Sequence, residues 1–388
     1  DEYAAKAVEN LNKWVQTCVG VTGNSNVSLA AGLYGYEFAI AGQLLREYKG
    51  WDPEDFLAFQ QWLLKVFYPA NKDFLVRHHD TNHLHYWANW GLCNIASTIA
   101  IGIVTDRRDI YNEGIEHFQS GVTNGRLRRA IYYDYSPEYN FAQWQESGRD
   151  QGHTLMCVGL VGVICQLAWS QGDDFFAYDD NLFLRGCEYA ACCNYTEETV
   201  PFTTYIWQKH NQWNGISPEE QTVVGGGKWM KRAIWALPYY HYKSIKNMSD
   251  EKLKYTKIAT EYVGVEGGGG YYDPNSGGYD VLGFGTLQDK SRMCLMNLFN
   301  MKISLKLIVV FLLLLGWNSI LRAEILVYPV PQGIYYARHN DDYTVKVRQA
   351  GEKDWVDLFE YNVKVDMDTK SDATMVQFDF SGKVEVLI

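Results

Sequence analysis

A run of polar and ionisable residues, 143–154, leads directly into an apolar segment that carries no charge, residues 155–168. The apolar segment predicts a buried helix. An unpaired charge costs about several kcal/mol when it is buried, so Glu, Arg, Asp and His at the start of such a helix need partners or solvent. A cleft lined by the start of an inner helix meets this need, and we place the candidate chemistry there.

A second polar cluster, residues 78–90, lies just before and within another apolar helix. It contains His85 and Asn89, which are four residues apart, the spacing that places two side chains on one face of a helix. Arg149 and His153 have the same spacing. We therefore expect the two clusters to form opposite walls of one cleft.

Four histidines within eight residues also suggest a metal site, since zinc binds histidines at positions i and i+4 of a helix. His79 and His83 have this spacing, but residues 80–82 between them are typical of a loop. A hydrogen-bonded histidine that caps a helix is the more ordinary alternative for each of them. We predict neither a metal nor another cofactor.

Composition narrows the class of partner. The formal net charge is -11 and no block of basic residues occurs, which argues against a nucleic acid. Aromatic residues make up 15% of the chain; packing between helices accounts for most of them, and stacking on sugar rings is a second use. The eight cysteines include no CxxC pair and mostly lie in apolar helical patterns, so neither zinc nor a disulfide framework is predicted.

The first 265 residues show apolar residues at helical spacing. Nearly all-apolar helices alternate with amphipathic ones, which predicts two concentric layers with the apolar helices inside. Asp52 followed by Pro53 is a typical helix start. The predicted helices are residues 3–19, 33–45, 55–67, 86–104, 109–120, 155–168, 181–194, 228–246 and 250–263.

The last part of the chain differs in pattern. Residues 301–323 have the basic start, short apolar core and small terminal residue of a signal peptide. Because this signal-peptide pattern lies inside the chain, it predicts a second reading frame joined to the first. A membrane anchor at residues 307–321 is the alternative. Alternation at period two then predicts strands at residues 325–328, 343–347, 361–365, 375–380 and 384–388, typical of a small β-sandwich.

The motif QESGRDQGHT at residues 145–154, with AWSQGDD at 168–174, resembles the alginate-lyase superfamily of polysaccharide lyases. Asn82-His83 with YWANW at 86–90, YHY at 240–242 and LGFGTL at 282–287 also match it. The resemblance implies a mainly α fold, an (α/α) toroid of helical hairpins over residues 1–287, incomplete because its first helices are missing. Residues 288–323 are then a linker, and residues 324–388 resemble a truncated N-terminal β domain of secreted polysaccharide-degrading enzymes.

The resemblance implies a periplasmic or extracellular lyase whose partner is an anionic polysaccharide, a 4-linked polyuronate such as alginate or glucuronan. Such lyases cleave by β-elimination without a metal. Hydrogen-bond donors neutralise the C6 carboxylate, a base removes the C5 proton, and an acid protonates the departing O4.

Under that mechanism Asn82 and Arg149 neutralise the carboxylate, with Asn89 as a further candidate. The base is His83 or His153. One extra residue before the YWANW segment leaves His85 as an alternative to His83 for the family's histidine. The proton donor is Tyr139 or, as a substitute, Tyr135. The residues assigned to substrate binding are His85, Trp87 as a stacking surface, Asn89, Gln145, Glu146, Gln151 and, on the far wall, His241; Arg126, Arg128 and Arg129 supply positive charge.

Two alternatives belong to other classes of protein. A toroid glycoside hydrolase needs two carboxylates on either side of the scissile bond. Glu146 and Asp150 are one turn apart on one predicted helix and so cannot flank a sugar. The second alternative is a non-catalytic carbohydrate-binding chain or an inactive toroid fragment.

Overall fold

The computed structural model describes residues 2–209, 218–267, 280–283 and 285–286, together with six strands between residues 325 and 387. Contacts divide the chain into two compact units, Asp1–Met301 and Lys302–Ile388. This boundary falls within the predicted linker at residues 288–323. The linker and the signal-peptide segment, including the alternative anchor at residues 307–321, lie outside the described residues.

Helices make up most of the first unit, which confirms a mainly α fold. In chain order they are α1 Glu2–Thr17, α2 Asn26–Leu45, α3 Pro53–Val66, α4 Tyr68–Arg77, α5 Ala88–Val104, α6 Arg108–Ser120, α7 Leu127–Ala130, α8 Gln151–Trp169, α9 Tyr178–Tyr195, α10 Ala236–Tyr240 and α11 Lys254–Val263. Two antiparallel hairpins interrupt them, β1 Ile131–Asp134 with β2 Ala142–Trp144 and β3 Tyr205–Gln208 with β4 Pro218–Gln221.

The apolar helices α2, α5 and α8 form the centre of this unit, with α5 between the other two. Glycines bring α2 close to α5. A Cβ atom at Gly32 would lie 2.4 Å from Cys93 Sγ, and one at Gly35 would lie 2.2 Å from Ser97 Oγ. The amphipathic α6 packs on α5 from outside. These helices have the predicted division into apolar inner and amphipathic outer elements.

Within the described part of the chain, α8 is the one helix long and apolar enough to span a membrane, and 67% of its apolar window is buried in the protein. Burial of this extent is typical of a core helix and confirms the buried helix predicted at residues 155–168. The helix begins four residues earlier because Asp150 caps it. Oδ1 of Asp150 accepts the backbone N–H of His153 at 2.8 Å.

Buried glutamates cap helices that lie far from them in sequence. Glu188 of α9 is 1% exposed, and its carboxylate accepts the backbone N–H groups of Tyr255 at 3.0 Å and Thr256 at 2.8 Å, at the start of α11. Glu266 accepts two N–H groups at the start of α10, at 2.8 and 3.0 Å. The first N–H groups of a helix have no partner within it, so these carboxylates pair donors that burial would otherwise leave unsatisfied.

The helix predicted at residues 228–246 is wrong over its first part. α10 begins only at Ala236, and Pro238 then lies in its first turn, where a missing N–H is tolerated. An earlier start would place the proline in the helix interior. A turn of π-helix, His241–Ile245, follows. α4, α7 and the two hairpins were not predicted, because these elements are too short to show a clear apolar period.

The second unit contains β5 Ile325–Val330, β6 Gly333–Arg338, β7 Lys346–Gln349, β8 Val356–Asp357, β9 Ala373–Phe378 and β10 Gly382–Leu387. Antiparallel pairing joins them into a sheet in the order β5-β10-β7-β8 and a separate pair, β6 with β9. Four of the five predicted strands overlap described ones, and residues 361–365 lie outside the described residues. β6 and β8 were not predicted. Packing of the two sheets as a β-sandwich stays a prediction.

Replacing Glu188 with Ala removes the acceptor for two backbone N–H groups and should lower the free energy of unfolding by about 2 to 4 kcal/mol. Urea denaturation at pH 6 measures this loss. Glu261→Ala, at an exposed position of α11, is the matched control and should change the value by less than about 0.5 kcal/mol. Equal losses in both variants would contradict a capping role for Glu188.

Candidate active site

The segment between β2 and α8 closes over the N-terminal end of α5. Oε1 of Gln145 accepts the backbone N–H of Ala88 at 2.8 Å, and Oε1 of Glu146 accepts that of Asn89 at 3.1 Å. These side chains cap α5 from a distance, as Glu188 caps α11. The two polar clusters found in the sequence therefore meet at the start of α5.

Arg149 lies between two carboxylates. Its Nη1 donates to Oε2 of Glu146 at 3.2 Å, and its Nε is 3.7 Å from Oδ2 of Asp150. Asp150 also accepts a hydrogen bond from Nδ1 of His153 at 2.6 Å. Burial acts to raise the pKa of Asp150, but the hydrogen bonds from His153 and the charge of Arg149 hold it below its usual value. Asp150 is thus an ionised group that orients both neighbours.

The prediction that Arg149 and His153 share a helix face is corrected by this geometry. α8 begins only after Asp150, so Arg149 precedes the helix. The two side chains come together because both contact the Asp150 carboxylate. Since an ionised carboxylate can only accept, Nδ1 of His153 carries the proton of that bond, so Nε2 is the ring nitrogen that can act as a base. The His153 side chain is 38% exposed.

Arg149 also lies against a column of aromatic rings. Its guanidinium carbon is 5.2 Å from the ring centre of Trp87, which stacks on Trp207 of β3 at 4.9 Å. Trp207 stacks in turn on His85 at 5.9 Å, and its Nε1 donates to the His85 carbonyl at 2.6 Å. Trp87 is only 9% exposed. Its predicted role as a stacking surface for a sugar is therefore wrong, because protein side chains cover it.

Tyr205 of β3 was not predicted, and it lies beside this column, with its ring centre 6.1 Å from that of Trp87. Its oxygen accepts from Nε2 of Gln145 at 2.5 Å. The capping bond to Ala88 sets the orientation of that amide, so the Tyr205 hydroxyl must donate its own proton elsewhere. No residue in the described part of the chain accepts it. Burial raises the pKa of Tyr205 and keeps the phenol protonated at neutral pH.

Tyr135, the predicted substitute for the proton donor, differs from Tyr205 in this respect. Its hydroxyl donates to Oε1 of Gln143 at 2.6 Å and lies 3.0 Å from Oγ1 of Thr203. The proton of Tyr135 is therefore already held by the protein.

Residues 1–198 match the family model described as alginate lyase. The chain belongs to the alginate lyase family. The matched region contains both polar clusters, α5 and α8. Membership implies a polysaccharide lyase that acts on an anionic polysaccharide, which confirms the family predicted from the QESGRDQGHT motif. No curated protein and no solved structure matches the chain.

The first cluster of this alginate lyase family chain contributes Asn82, His83 and His85, all partly exposed, near the start of α5. Burial and a nearby arginine lower the pKa of His83, so its ring is neutral at neutral pH. Nδ1 of His85 donates to the carbonyl of Gln208 at 3.0 Å, which leaves the lone pair on Nε2. Oδ1 of Asn82 accepts the N–H of Leu84 at 2.9 Å within its own loop.

Of the three arginines expected to supply positive charge, Arg129 lies nearest this cluster. Its charge lowers the pKa of both His83 and Tyr205. Arg128 instead pairs with two aspartates, which offset its charge. Nε of Arg126 donates to a backbone carbonyl at 3.1 Å.

Several predicted binding residues are buried. Gln145, Glu146 and Gln151 are 0% exposed and Asn89 is 2% exposed. Gln151 donates to two backbone carbonyls and accepts from Asn194 Nδ2 at 2.8 Å. Direct binding of sugar hydroxyls by these three acidic or amide side chains is therefore wrong, and Asn89 is similarly shielded from a substrate carboxylate. Gln145 and Glu146 instead cap the start of α5, and Glu146 also holds Arg149 in place.

Tyr139 and His241 lie toward the far end of α8 from His153. At about 1.5 Å per residue, roughly 24 Å of helix separates His153 from Trp169. The His241 ring centre is 5.0 Å from that of Trp169. Tyr139 lines a pocket with Arg185 and other residues at the start of α9, which follows the end of α8. The contacts of both residues therefore lie toward this end of α8 and not at Arg149, so both assignments are corrected.

The histidine cluster does not have the geometry of a metal site. Residues His78, His79 and Asp80 are all left-handed, with φ of 53°, 55° and 56°, so His79 and His83 do not lie on one face of a regular α-helix. The ring nitrogens of His79 lie 2.9 Å from the Tyr86 hydroxyl and 2.9 Å from Ser28 Oγ. Among the residues that the structure describes, no three His, Cys, Asp or Glu side chains are arranged to hold a metal ion.

The buried position of His241 can be tested by the pH dependence of the free energy of unfolding. Burial lowers its pKa from 6.5 to about 4. As the pH falls from about 6.5 to about 4, the unfolded chain takes up a proton that the folded chain does not, so stability is lost over this window. The His241→Phe variant cannot take up this proton in either state. The free energy of unfolding of the variant minus that of the wild type should therefore increase by about 3 kcal/mol between pH 7 and pH 4.

Urea denaturation of both proteins across this pH range measures the difference between their free energies of unfolding. The contributions of all other titrating groups are the same in both proteins and cancel. A difference that stays constant with pH would mean that His241 is accessible to solvent in the folded protein.

Proposed function

We propose that this chain cleaves a 4-linked polyuronate, alginate or glucuronan, by β-elimination at the cleft between the starts of α5 and α8. The observation that carries the proposal is Arg149, which two carboxylates and the Trp87 ring hold beside His153. Membership of the alginate lyase family supports the reaction class. The inner helices α2, α5 and α8 with outer α6 support an (α/α) toroid. A small β-sandwich at residues 324–388 and a periplasmic or extracellular location belong to the same proposal.

Neutralisation of the C6 carboxylate is the first requirement, and Arg149 and Asn82 are the donors. The Arg149 side chain is 29% exposed, so it can meet a ligand without losing its partners. Its contacts fix the guanidinium before substrate arrives, and a preorganised cation stabilises developing negative charge without reorganisation at the moment of reaction. This interaction lowers the barrier to removal of the C5 proton.

His153 is the base. Asp150 holds Nδ1 of the ring as a donor, which leaves Nε2 free to take the C5 proton. Ionised Asp150 also stabilises the imidazolium that forms. His83, the other candidate, is neutral at neutral pH because burial lowers its pKa.

Tyr205 replaces Tyr139 as the proton donor to the departing O4. Its hydroxyl proton is not used by Gln145, and its phenol is protonated at neutral pH. Tyr205 and Arg149 both contact the Trp87 ring, so both side chains lie in the same part of the cleft. Electrons move from the C5–H bond to the C4–C5 double bond as the C4–O4 bond breaks, and the proton count balances between His153 and Tyr205.

The two rival functions make different demands on the site. Hydrolysis by paired carboxylates requires two exposed groups across a sugar. Glu146 has no exposed surface, and it and Asp150 contact the same arginine. A non-catalytic binding protein would bind polyuronate without turnover, and replacement of Arg149 or His153 would not change any product.

The experiment is to mix the purified chain with a panel of mannuronate, guluronate and glucuronate polymers and to follow the ultraviolet absorbance of the C4–C5 double bond. Arg149→Lys, His153→Ala and Tyr205→Phe should each lower kcat by about 10²-fold or more, since each removes a donor, base or acid of the reaction.

Arg107→Lys, at an exposed ion pair with Asp109, and Tyr133→Phe, an exposed tyrosine, are the matched controls and should keep wild-type rates. Loss of activity in Tyr139→Phe but not in Tyr205→Phe would return the donor role to Tyr139. New reducing ends without the double bond would establish hydrolysis, and binding without any product would establish the carbohydrate-binding alternative.

A further inference from the structure

The loop between β4 and α10, residues 222–235, passes beside the N-terminal end of α8. Nη1 of Arg232 in this loop donates to the carbonyl of Gly152 at 3.0 Å. Gly152 immediately precedes His153 in the chain. The loop therefore lies at the same end of α8 as the proposed catalytic groups.

Trp229 in this loop has a left-handed backbone, with φ of 66°. This conformation costs free energy for a bulky residue, and such residues cluster at functional sites. Two hydrogen bonds hold it, since its N–H donates to the carbonyl of Asn194 at 3.1 Å and its carbonyl accepts from the Tyr262 hydroxyl at 3.3 Å. Trp229 is nevertheless 40% exposed. The fold thus maintains a costly backbone conformation at a residue that is not part of the core.

A second exposed ring lies beside Trp229. Tyr262 of α11 is 38% exposed, and its ring centre is 5.6 Å from that of Trp229. The ring of Tyr195, which is only 3% exposed, lies 5.1 Å from Tyr262. The Tyr195 hydroxyl donates to the carbonyl of Met230 at 2.7 Å. Two neighbouring aromatic rings are therefore partly exposed and supported from within the fold.

Lys228 and Lys231 flank Trp229 in the chain. Nζ of Lys231 is 5.5 Å from the ring centre of Tyr262, and Nζ of Lys228 donates to the carbonyl of Thr196 at 3.0 Å. Neither lysine forms an ion pair with a carboxylate in the part of the chain that the structure describes. Four lysines of the segment that follows do pair with an aspartate or glutamate, namely Lys243, Lys246, Lys254 and Lys257.

We infer that Lys228, Trp229, Lys231 and Tyr262, here called the Trp229 patch, form a second binding site for the acidic polysaccharide. The patch contacts α9 and α11, so it lies outside the cleft between α5 and α8. An exposed aromatic ring buries apolar surface when the apolar face of a sugar packs on it. The two ammonium groups attract the carboxylates of a uronate polymer. The inference rests on the proposed function for the identity of this ligand.

The two sites would bind different parts of one polymer chain. Once the cleft holds the chain, binding at the Trp229 patch is intramolecular, which raises the affinity for long chains above that of either site alone. The chemical step in the cleft does not involve the patch. Loss of the patch should therefore change KM for long substrates and leave kcat as it is.

Trp229→Ala should raise KM for polymeric alginate or glucuronan, whichever is cleaved, by about fivefold with kcat unchanged, because it removes binding that ground and transition states share. KM for the shortest cleaved oligomer should stay at the wild-type value. Trp14→Ala is the matched control, since Trp14 is 50% exposed but lies on α1. An unchanged KM for the polymer in Trp229→Ala would overturn the inference.

Trp229→Gly separates loss of the ring from loss of stability. Glycine adopts the left-handed backbone without steric cost, so this variant should melt at a higher temperature than Trp229→Ala. Both variants lack the ring and should bind the polymer equally weakly. Binding losses that instead follow the melting temperatures would mean that the ring only supports the loop, which would overturn the inference.

Lys228→Gln/Lys231→Gln tests the charges. This variant should bind the acidic polymers severalfold more weakly than the wild type at low ionic strength, and the difference should disappear at high salt because salt screens exposed charges. Lys65→Gln, at an exposed position of α3, is the matched control and should bind as the wild type does. Equal binding by the double variant at low salt would contradict recognition of an acidic ligand.

Electrophoresis through native gels that contain alginate, glucuronan or uncharged hydroxyethyl cellulose measures binding without cleavage. The variants are compared in the His153→Ala background, so that the polymer stays intact. If the wild type cleaves neither polymer but an acidic gel retards the chain through Trp229, the proposed function fails and the inference stands. No retardation by either acidic polymer, or equal retardation by hydroxyethyl cellulose, would overturn the inference.

Discussion

The site depends on one buried carboxylate. Glu146 has no exposed surface, yet its two oxygens take the N–H of Asn89 at the start of α5 and the guanidinium of Arg149. Burial raises the pKa of this group, and Arg149 opposes the shift. A charge in the core is tolerable only when it is paired and hydrogen-bonded. Glu146 thereby forces the capped end of α5 and the segment before α8 to stay together.

The same physical solution recurs elsewhere in the first unit. Glu188 and Glu266 cap α11 and α10 from distant positions, as Glu146 and Gln145 cap α5. An inner helix exposes no terminal groups to water, so its first N–H groups need acceptors from another part of the chain. Each such acceptor joins elements that are remote in sequence. In the cleft, this capping leaves the side chains of Arg149 and His153 partly exposed.

Much of the helical framework could be predicted from the sequence, because long apolar segments such as residues 155–168 have few alternatives to burial. The meeting of the two polar clusters could be predicted as well, since both precede buried helices. Tyr205 and Trp207 could not, because a short hairpin carries little periodic signal and its contact with Trp87 spans more than a hundred residues. Tyr139 and His241 had suitable chemistry, but spacing does not say which end of α8 they reach. For Gln145, Glu146 and Gln151, side-chain polarity suggested contact with sugar hydroxyls. Gln145 and Glu146 instead accept the first N–H groups of α5, and Gln151 bonds two backbone carbonyls and Asn194.

The central claim is that Glu146 acts through Arg149, and a double-mutant cycle tests it most directly. Glu146→Gln keeps an acceptor for the Asn89 N–H but loses the charge that holds the guanidinium. On the preferred polyuronate, the kcat/KM loss of Glu146→Gln/Arg149→Lys should be close to that of Arg149→Lys alone, because residues that act as a unit are non-additive. Losses that simply multiply, in variants that remain folded, would contradict the account.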